Sequence, residues 1–133
     1  MAETIFTKIV KGEIPCYKVA EDDKFFAFLD ISPLAKGHTL VIPKEQIDYI
    51  FDIEDDMLAD MMVFAKKVAK AIHKTMDCVK VGVAVVGLEV PHAHIHLVPM
   101  KKVSDLNFAN PKLELSKEEF AKIAETIAAA IEK

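Results

Sequence analysis

Residues 91–99 read Pro91-His92-Ala93-His94-Ile95-His96-Leu97-Val98-Pro99, and they hold three of the five histidines of the chain at alternate positions. Successive side chains of a β-strand point to opposite faces of its sheet. A strand here would place the three imidazoles on one face and the three intervening apolar side chains on the other. The spacing therefore predicts that the apolar face packs in a core and that the histidine face forms a functional site.

Three interpretations of these histidines are open. A structural role requires that each buried imidazole finds partners for its donor and its acceptor. A metal site needs nitrogens at about 2.0 to 2.1 Å from the ion, whereas His92 and His96 would lie roughly 13 Å apart along a strand, so at most two of the three could chelate one ion. A pocket for a phosphate or another anion suits all three histidines, and the pattern favours this interpretation.

The composition is typical of a single globular domain. The chain has 133 residues, 52% of them hydrophobic, so residues 1–133 are expected to bury one core. Its 17 basic and 21 acidic residues give a net charge of −4, which excludes the basic surface that binds a nucleic-acid duplex. We find no membrane-length apolar run and no signal-like opening, and Cys16 and Cys78 are isolated thiols. We therefore expect a cytoplasmic protein that does not bind membranes.

Local patterns predict the remaining elements. They indicate a short N-terminal helix over residues 4–10, strands over residues 16–19, 25–29 and 37–43, and a long amphipathic helix over residues 52–75. Residues 78–86, rich in Val, predict a central strand covered on both faces. A capping box at Ser116 and Glu119 predicts the start of a C-terminal helix. Together these elements predict an α+β fold with an antiparallel sheet of about five strands, a long central helix, a short N-terminal helix and a C-terminal helix.

Several segments resemble one known family. Residues 92–98 are similar to the signature of the histidine triad family, in which three histidines alternate with apolar residues and two more apolar residues follow. Residues 5–15 resemble the family's N-terminal opening, residues 28–33 its nucleoside-binding segment, and residues 36–44 its next strand. With the C-terminal helix included, the resemblance covers nearly the whole chain.

The resemblance implies a hydrolase or transferase that acts on phosphorus through a histidine nucleophile and uses no cofactor. His94, the middle histidine, would attack the α-phosphate and form a nucleotidyl-histidine intermediate that water hydrolyses. His92 and His96 would contact the phosphate and the leaving group, and His38 would orient the set. Splitting one difficult displacement into two easier ones is the usual benefit of a covalent intermediate.

The resemblance also implies where a purine nucleotide binds. Asp30 would hold the ribose hydroxyls, Ile31 would lie against the base, and Gly87, Leu88 and Glu89 would lie beside the phosphate. It further implies a homodimer in which two chains share a continuous sheet. Considered without the resemblance, Asp30 would simply make a side-chain turn at the end of a strand.

One departure from the family concerns the phosphate side of the site. Family members usually carry Gly-Gln-Ser or Gly-Gln-Thr before the triad strand, where this chain has Gly87, Leu88 and Glu89. Leu88 has no donor for a phosphate. Glu89 either points away, or pairs with a cation such as a protonated His92, or narrows the range of substrates.

A second departure concerns metal. Some family members bind zinc through a Cys-x-x-Cys pair near the start of the chain and a histidine after the third strand. The corresponding residues here are Thr4, Thr7 and Gln46, none of which is a favoured zinc ligand. We therefore expect no structural zinc.

Three functions stay open on the sequence. The first is a hydrolase or transferase that cleaves nucleoside monophosphate esters, phosphoramidates or dinucleoside polyphosphates, and the intact triad favours it. The second is a nucleotide-binding module with little turnover, which the missing donors at Leu88 and Glu89 favour. The third is a metal-dependent hydrolase, for which the sequence offers the least support.

Overall fold

The structure, a computed structural model, describes residues 2–132. Its elements in chain order are α1 (Ile5–Val10), β1 (Lys18–Glu21), β2 (Phe25–Leu29), β3 (Thr39–Pro43), α2 (Asp55–Thr75), β4 (Lys80–Ala84), β5 (Ile95–Met100) and α3 (Lys117–Ala129). Short 3-10 turns lie at Ile50–Asp52 and Val103–Asp105. The five strands form one antiparallel sheet, so the predicted α+β fold is confirmed.

The strands are ordered β1-β2-β3-β5-β4 across the sheet. On β5, His96 lies opposite Leu40 of β3 on one side and Ala84 of β4 on the other. β5 begins at Ile95, so His92 and His94 belong to the irregular segment that leads into the strand rather than to the strand itself. The histidine motif therefore enters the sheet between two neighbouring strands.

Alternation along the strands divides the sheet into two apolar faces. One face packs against α2 and α3, and its buried side chains include Phe25, Ala27, Leu29, Val41, Ile95 and Leu97. The opposite face packs against α1, with Phe26, Phe28, Leu40 and Ile42 of the sheet against Phe6 and Ile9 of the helix. Because both faces are covered, β2 and β3 are buried along their whole length.

The prediction of a central strand at residues 78–86 is wrong for this chain. β4 spans Lys80–Ala84 and lies at an edge of the sheet, where it pairs with β5 alone and leaves Val83 50% exposed. A run of Val indicates a strand, but the position of the strand in the sheet depends on which segments pair with it. In this chain β2 and β3 are the strands covered on both faces.

The other boundaries differ little from the predictions. β1 begins at Lys18 and α2 at Asp55, each two or three residues later than expected. The three- and four-residue spacing of apolar side chains in α2 predicts that Met62 faces the core, but Met62 is exposed. The capping box of α3 is confirmed, since the Ser116 hydroxyl accepts from the Glu119 N–H at 3.1 Å and the Ser116 N–H donates to the Glu119 carboxylate at 3.3 Å. Within residues 2–132, none of the helices has the length and apolar character to cross a membrane.

Candidate active site

A cavity of about 550 Å³ lies on the α1 side of the sheet. Its wall is formed by α1, the end of β2, the start of β3, the loop before the histidine motif and the loop that follows β5. Eight of the nine residues predicted for the site line it, namely Asp30, Ile31, His38, Gly87, Leu88, Glu89, His94 and His96. Fold and sequence motif therefore lead to the same place in the molecule.

The ring of His94 is held by a single backbone contact. Its Nδ1 lies 2.8 Å from the carbonyl oxygen of His92. Because a carbonyl oxygen can only accept, Nδ1 must carry the hydrogen, and in the neutral ring Nε2 then has a free lone pair. The Phe6 ring packs edge-on against this imidazole at 5.0 Å between centroids. His94 thus has the tautomer that a nitrogen nucleophile requires, and it lines the cavity.

A chain of hydrogen bonds fixes the tautomers of His38 and His96. The Leu34 N–H donates to His38 Nδ1 at 3.0 Å, so the hydrogen of the neutral His38 ring is on Nε2. His38 Nε2 lies 3.0 Å from His96 Nδ1 and donates to it. The hydrogen of His96 is then on Nε2, the ring nitrogen left for a ligand. The ring of His96 lies 4.9 Å from that of His94, so a hydrogen-bond donor lies beside the His94 imidazole.

Burial keeps this pair of histidines neutral. Burial lowers the pKa of His38 and of His96 to about 4, and Lys112, close to His38, lowers the His38 pKa further. His94 also lowers the pKa of His96 by charge repulsion. Both rings are almost completely excluded from solvent. At neutral pH the two rings therefore keep the donor and acceptor assignment that their hydrogen bonds require.

His92 differs from the expectation for the triad. Its ring is fully buried, is absent from the cavity wall and has a partner for each nitrogen. Nε2 donates to the Pro43 carbonyl at 2.8 Å, and Nδ1 accepts from the Thr4 hydroxyl at 2.9 Å. The expected contact between this ring and a phosphate therefore has no support in the structure. The contribution of His92 to the site is its backbone carbonyl, which holds His94.

Asp30 lies directly after β2 and lines the same cavity as the histidines, although it is distant from them in sequence. One carboxylate oxygen accepts from the Ser32 N–H at 2.8 Å, and the other lies 3.6 Å from His38 Nε2. Burial raises the pKa of Asp30, while the hydrogen bond from Ser32 opposes this effect. The side-chain turn that the sequence suggested is present, and it leaves one oxygen free to accept from a ligand.

One group of side chains within residues 2–132 could be considered for a metal ion. Ligand atoms of Asp30, His38 and His96 lie within 4.8 Å of one another. The group does not fit a metal, because His38 Nδ1 already accepts from the Leu34 N–H and a metal on Nε2 would remove the last hydrogen of the ring. The short contact between His38 Nε2 and His96 Nδ1 is therefore a hydrogen bond and not a shared metal site.

The positions that correspond to zinc ligands in some relatives do not fit a metal either. The Thr7 hydroxyl donates to the Gln46 side-chain oxygen at 2.7 Å, and the same oxygen accepts from the Thr4 N–H at 2.9 Å. Hydroxyl and amide groups are poor zinc ligands, and these groups already bind one another.

The loop before the histidine motif brings its unusual residues to the cavity. Gly87 has a φ of +69°, a backbone conformation that glycine adopts at little cost. Leu88 is 89% exposed, and Glu89 is exposed as well. A pair between Glu89 and His92 is excluded, because both ring nitrogens of His92 are already bonded and the ring is buried.

Sequence reasoning missed several residues of the cavity wall. Residues 101–115 read as a polar irregular loop, yet Phe108 packs edge-on against the His96 ring at 4.7 Å and Lys112 lines the cavity. The Lys112 ammonium is held by the carbonyl oxygens of Phe108 and Asn110. An aromatic residue inside a polar loop was the available signal for Phe108, whereas nothing local distinguishes Lys112 from other exposed lysines.

Comparisons with known proteins show which proteins this chain resembles. A model of the HIT domain matches residues 11–103. The chain is 39% identical over 129 residues to the adenosine 5′-monophosphoramidase hnt1 of Schizosaccharomyces pombe, covering 96% of this chain and 97% of the relative. A Hit-like protein from Bartonella henselae involved in cell-cycle regulation superposes with a TM-score of 0.83 at 32% identity, covering 96% of both chains. A histidine triad nucleotide-binding protein from Sulfolobus tokodaii gives a TM-score of 0.81 at 29% identity, covering 95% of this chain and 90% of the other. The match of the HIT domain and the similarity to these relatives show that the chain belongs to the histidine triad family.

Proposed function

We propose that this protein hydrolyses the phosphorus–nitrogen bond of purine nucleoside 5′-phosphoramidates. The observation that carries the proposal is the tautomer of His94, whose Nδ1–H is bound to the His92 carbonyl so that Nε2 is available to attack phosphorus. The name of the Schizosaccharomyces pombe relative, adenosine 5′-monophosphoramidase, supports this choice of bond. Esters of nucleoside monophosphates and dinucleoside polyphosphates would react through the same steps.

In the proposed reaction, His94 Nε2 forms a bond to the α-phosphorus and the P–N bond breaks with its electron pair on nitrogen. The Nε2–H of His96 donates to an oxygen of the phosphoryl group as charge develops there. As the P–N bond breaks, the departing nitrogen takes a proton from a water molecule, and the hydroxide that remains then attacks the phosphorus. Cleavage of the Nε2–P bond releases the nucleoside monophosphate and returns His94 to its starting state.

The walls of the cavity suit the rest of a nucleotide. Ile5, Phe6, Ile9, Ile14 and Phe28 provide an apolar wall on one side for a planar base. Asp30 and Ile31 line the same cavity as His94 and His96, and we propose that they contact the ribose and the base. The test of the proposal is to incubate the protein with adenosine 5′-phosphoramidate or with a dinucleoside polyphosphate and to measure release of AMP. Release of AMP from the phosphoramidate supports the proposal. Turnover of the dinucleoside polyphosphate alone would support a hydrolase of another specificity, and binding of AMP without turnover of either substrate contradicts a hydrolase.

Replacing Asp30 by alanine is expected to weaken AMP binding by about 1.5 to 3 kcal/mol, or roughly 10- to 150-fold, because a carboxylate that accepts from the ribose hydroxyls is lost. Asp30→Asn, which keeps one carbonyl acceptor, should lose less. Calorimetric titration at pH 7 measures both affinities. The wild type should bind 2′,3′-dideoxy-AMP weakly, and Asp30→Ala should no longer distinguish it from AMP. Equal affinity of the wild type for the two nucleotides would refute the ribose contact.

A second candidate function, a nucleotide-binding module with little turnover, rests on Leu88 and Glu89. Both line the cavity, and neither offers a donor to a phosphate. If these residues limit catalysis, the double change Leu88→Gln and Glu89→Ser should raise kcat for adenosine 5′-phosphoramidate by about 10-fold, the effect of one added hydrogen bond to a charged group. Leu88→Ala, which removes the side chain without adding a donor, is the control. A double variant no faster than the wild type would remove the main support for a binding module.

We also propose that two chains assemble through β4. The strand is an edge with free hydrogen-bonding groups, and Val83, Val85 and Val86 leave an apolar strip exposed beside it. An exposed edge strand can pair with a second copy about a twofold axis. The continuous sheet implied by the family resemblance would then cover the strand that is uncovered in one chain.

A further inference from the structure

Thr4 joins two features of the site that are distant in sequence, the start of α1 and the histidine motif. It is the N-cap of α1, where its hydroxyl accepts from the Thr7 N–H at 3.1 Å. The hydrogen of the same hydroxyl is donated to His92 Nδ1 at 2.9 Å, across 88 positions of the chain. Thr4 and the His92 ring are both buried, so water does not replace this bond. The start of α1 is therefore fastened directly to the histidine motif.

Gln46 completes the connection from the side of β3. Its side-chain oxygen accepts from the Thr4 N–H and from the Thr7 hydroxyl, and its amide nitrogen donates to the Ala2 carbonyl at 2.9 Å. These contacts orient the Thr7 and Thr4 side chains and tie the chain that enters α1 to the segment after β3. Gln46 thus fixes the position from which Thr4 reaches His92.

The direction of each hydrogen bond follows from the Pro43 carbonyl, which can only accept. His92 Nε2 therefore holds the ring hydrogen, and Nδ1 needs a donor. The Thr4 hydroxyl is that donor. The two bonds hold the His92 ring between α1 and the end of β3, in a segment that has no strand pairing of its own. The carbonyl of the same residue holds His94 Nδ1.

From these contacts we propose that Thr4, supported by Thr7 and Gln46, is a positioning residue that aligns the nucleophile His94 through the ring and carbonyl of His92. The proposal rests on the proposed hydrolase for its effect on turnover. It requires no contact between these residues and the substrate. It also gives α1 two roles, since Phe6 of this helix lines the cavity and packs edge-on against the rings of His92 and His94.

The substitutions Thr4→Asp and Thr4→Asn form a matched pair that separates positioning from helix capping. Both side chains supply an N-cap oxygen to the Thr7 N–H. The asparagine amide can also donate to His92 Nδ1, whereas an ionised aspartate cannot donate. We expect Thr4→Asp to lower kcat by about 10- to 100-fold, as small misplacements of a reacting group do, with KM within about 3-fold of wild type. Thr4→Asn should recover most of the loss.

Gln46 provides a second pair that leaves the cap of α1 in place. Gln46→Glu keeps the acceptor for the Thr4 N–H and the Thr7 hydroxyl, and Gln46→Leu removes it. We expect Gln46→Leu to lower kcat by about 3- to 10-fold, which is less than for Thr4→Asp, because Thr4 still donates to His92. One result would overturn the proposal. If both variants of a pair lost the same amount of kcat, and if that loss followed their decrease in melting temperature, the residue would have only a structural role.

Nitrogen-15 NMR of the histidine rings tests the proposal without relying on turnover. In the wild type and in Thr4→Asn, His92 should show an unprotonated Nδ1, and His94 a protonated and hydrogen-bonded Nδ1. In Thr4→Asp, where residue 4 no longer donates to His92, the His92 Nδ1 signal should lose its hydrogen-bonded position and the His94 Nδ1–H signal should shift or broaden. A His92 ring protonated on Nδ1 in the wild type would overturn the positioning proposal. Normal ring signals in a wild type that turns over no nucleotide would instead contradict only the proposed function.

Discussion

Replacing His94 by alanine is expected to reduce turnover of adenosine 5′-phosphoramidate by roughly 10⁴-fold or more, the usual cost of removing a covalent nucleophile. The bond that forms to phosphorus needs the lone pair of Nε2, and the alanine variant has no substitute for it. Affinity for AMP should stay within a few-fold of wild type, because the proposed ribose and base contacts lie on Asp30 and on the apolar wall of the cavity. Steady-state kinetics and AMP titration measure the two effects separately.

A covalent adduct gives an independent reading of the same prediction. Brief incubation with labelled adenosine 5′-phosphoramidate followed by denaturation at alkaline pH should leave acid-labile label on the peptide that contains His94. His73→Ala, at an exposed position of α2, controls for loss of a histidine as such. Undiminished turnover by His94→Ala, or label that survives this substitution, would contradict the assignment of the nucleophile.

The second large effect is expected in the pH dependence of stability. The pKa of His38 and of His96 is about 4 in the folded protein, below the ordinary histidine value of 6.5. Between these values the unfolded chain binds protons that the folded chain excludes, so the free energy of unfolding falls as the pH is lowered from 6.5 to 4. A lowering of this size corresponds to about 3 kcal/mol for one histidine. Because the two rings share a hydrogen bond, we expect a loss on the order of 3 to 6 kcal/mol for the pair.

Urea unfolding at fixed protein concentration and at pH values from 7 to 4.5 measures this loss. Carboxylates such as Glu21, whose pKa is lowered by Lys44, add a loss of the same sign at lower pH, so a variant is needed to isolate the histidines. His38→Gln removes one titrating ring from the buried pair and should reduce the loss between pH 6.5 and 4.5 by about half. An identical loss in the variant and the wild type would show that the buried histidines do not govern acid stability.

Local patterns in the sequence were sufficient for most of the fold. Apolar periodicity predicted α2, the capping box predicted the start of α3, and the short apolar run after a turn-forming segment predicted β2 with the bounds that the structure shows. The histidine spacing led to His94 and His96, which both line the cavity. These predictions succeed because they depend only on residues that are close in the sequence. Secondary-structure propensity, helix capping and the face on which a side chain lies are all set by such neighbours.

Other features depend on segments that meet only in the folded protein. The position of β4 at the edge of the sheet follows from its pairing with β5 alone, and a run of Val cannot reveal how many partners a strand has. Phe108 and Lys112 reach the cavity because the loop after β5 folds back toward the start of β3, with the Leu113 N–H bound to the Pro33 carbonyl. A contact of this kind leaves no period in the sequence.

The sequence by itself determined the class of fold and the family signature, and it singled out the histidines that are proposed to carry the chemistry. Only the tertiary structure decided which nitrogen of each imidazole carries the hydrogen. That assignment depends on partners outside the motif, such as Thr4, Pro43 and Leu34. The tertiary structure also separated His92, whose ring is buried and fully bonded, from His94, whose ring lines the cavity. Alternation along a chain specifies a face of a strand, whereas the role of each imidazole is specified by the donors and acceptors that folding brings to its two nitrogens.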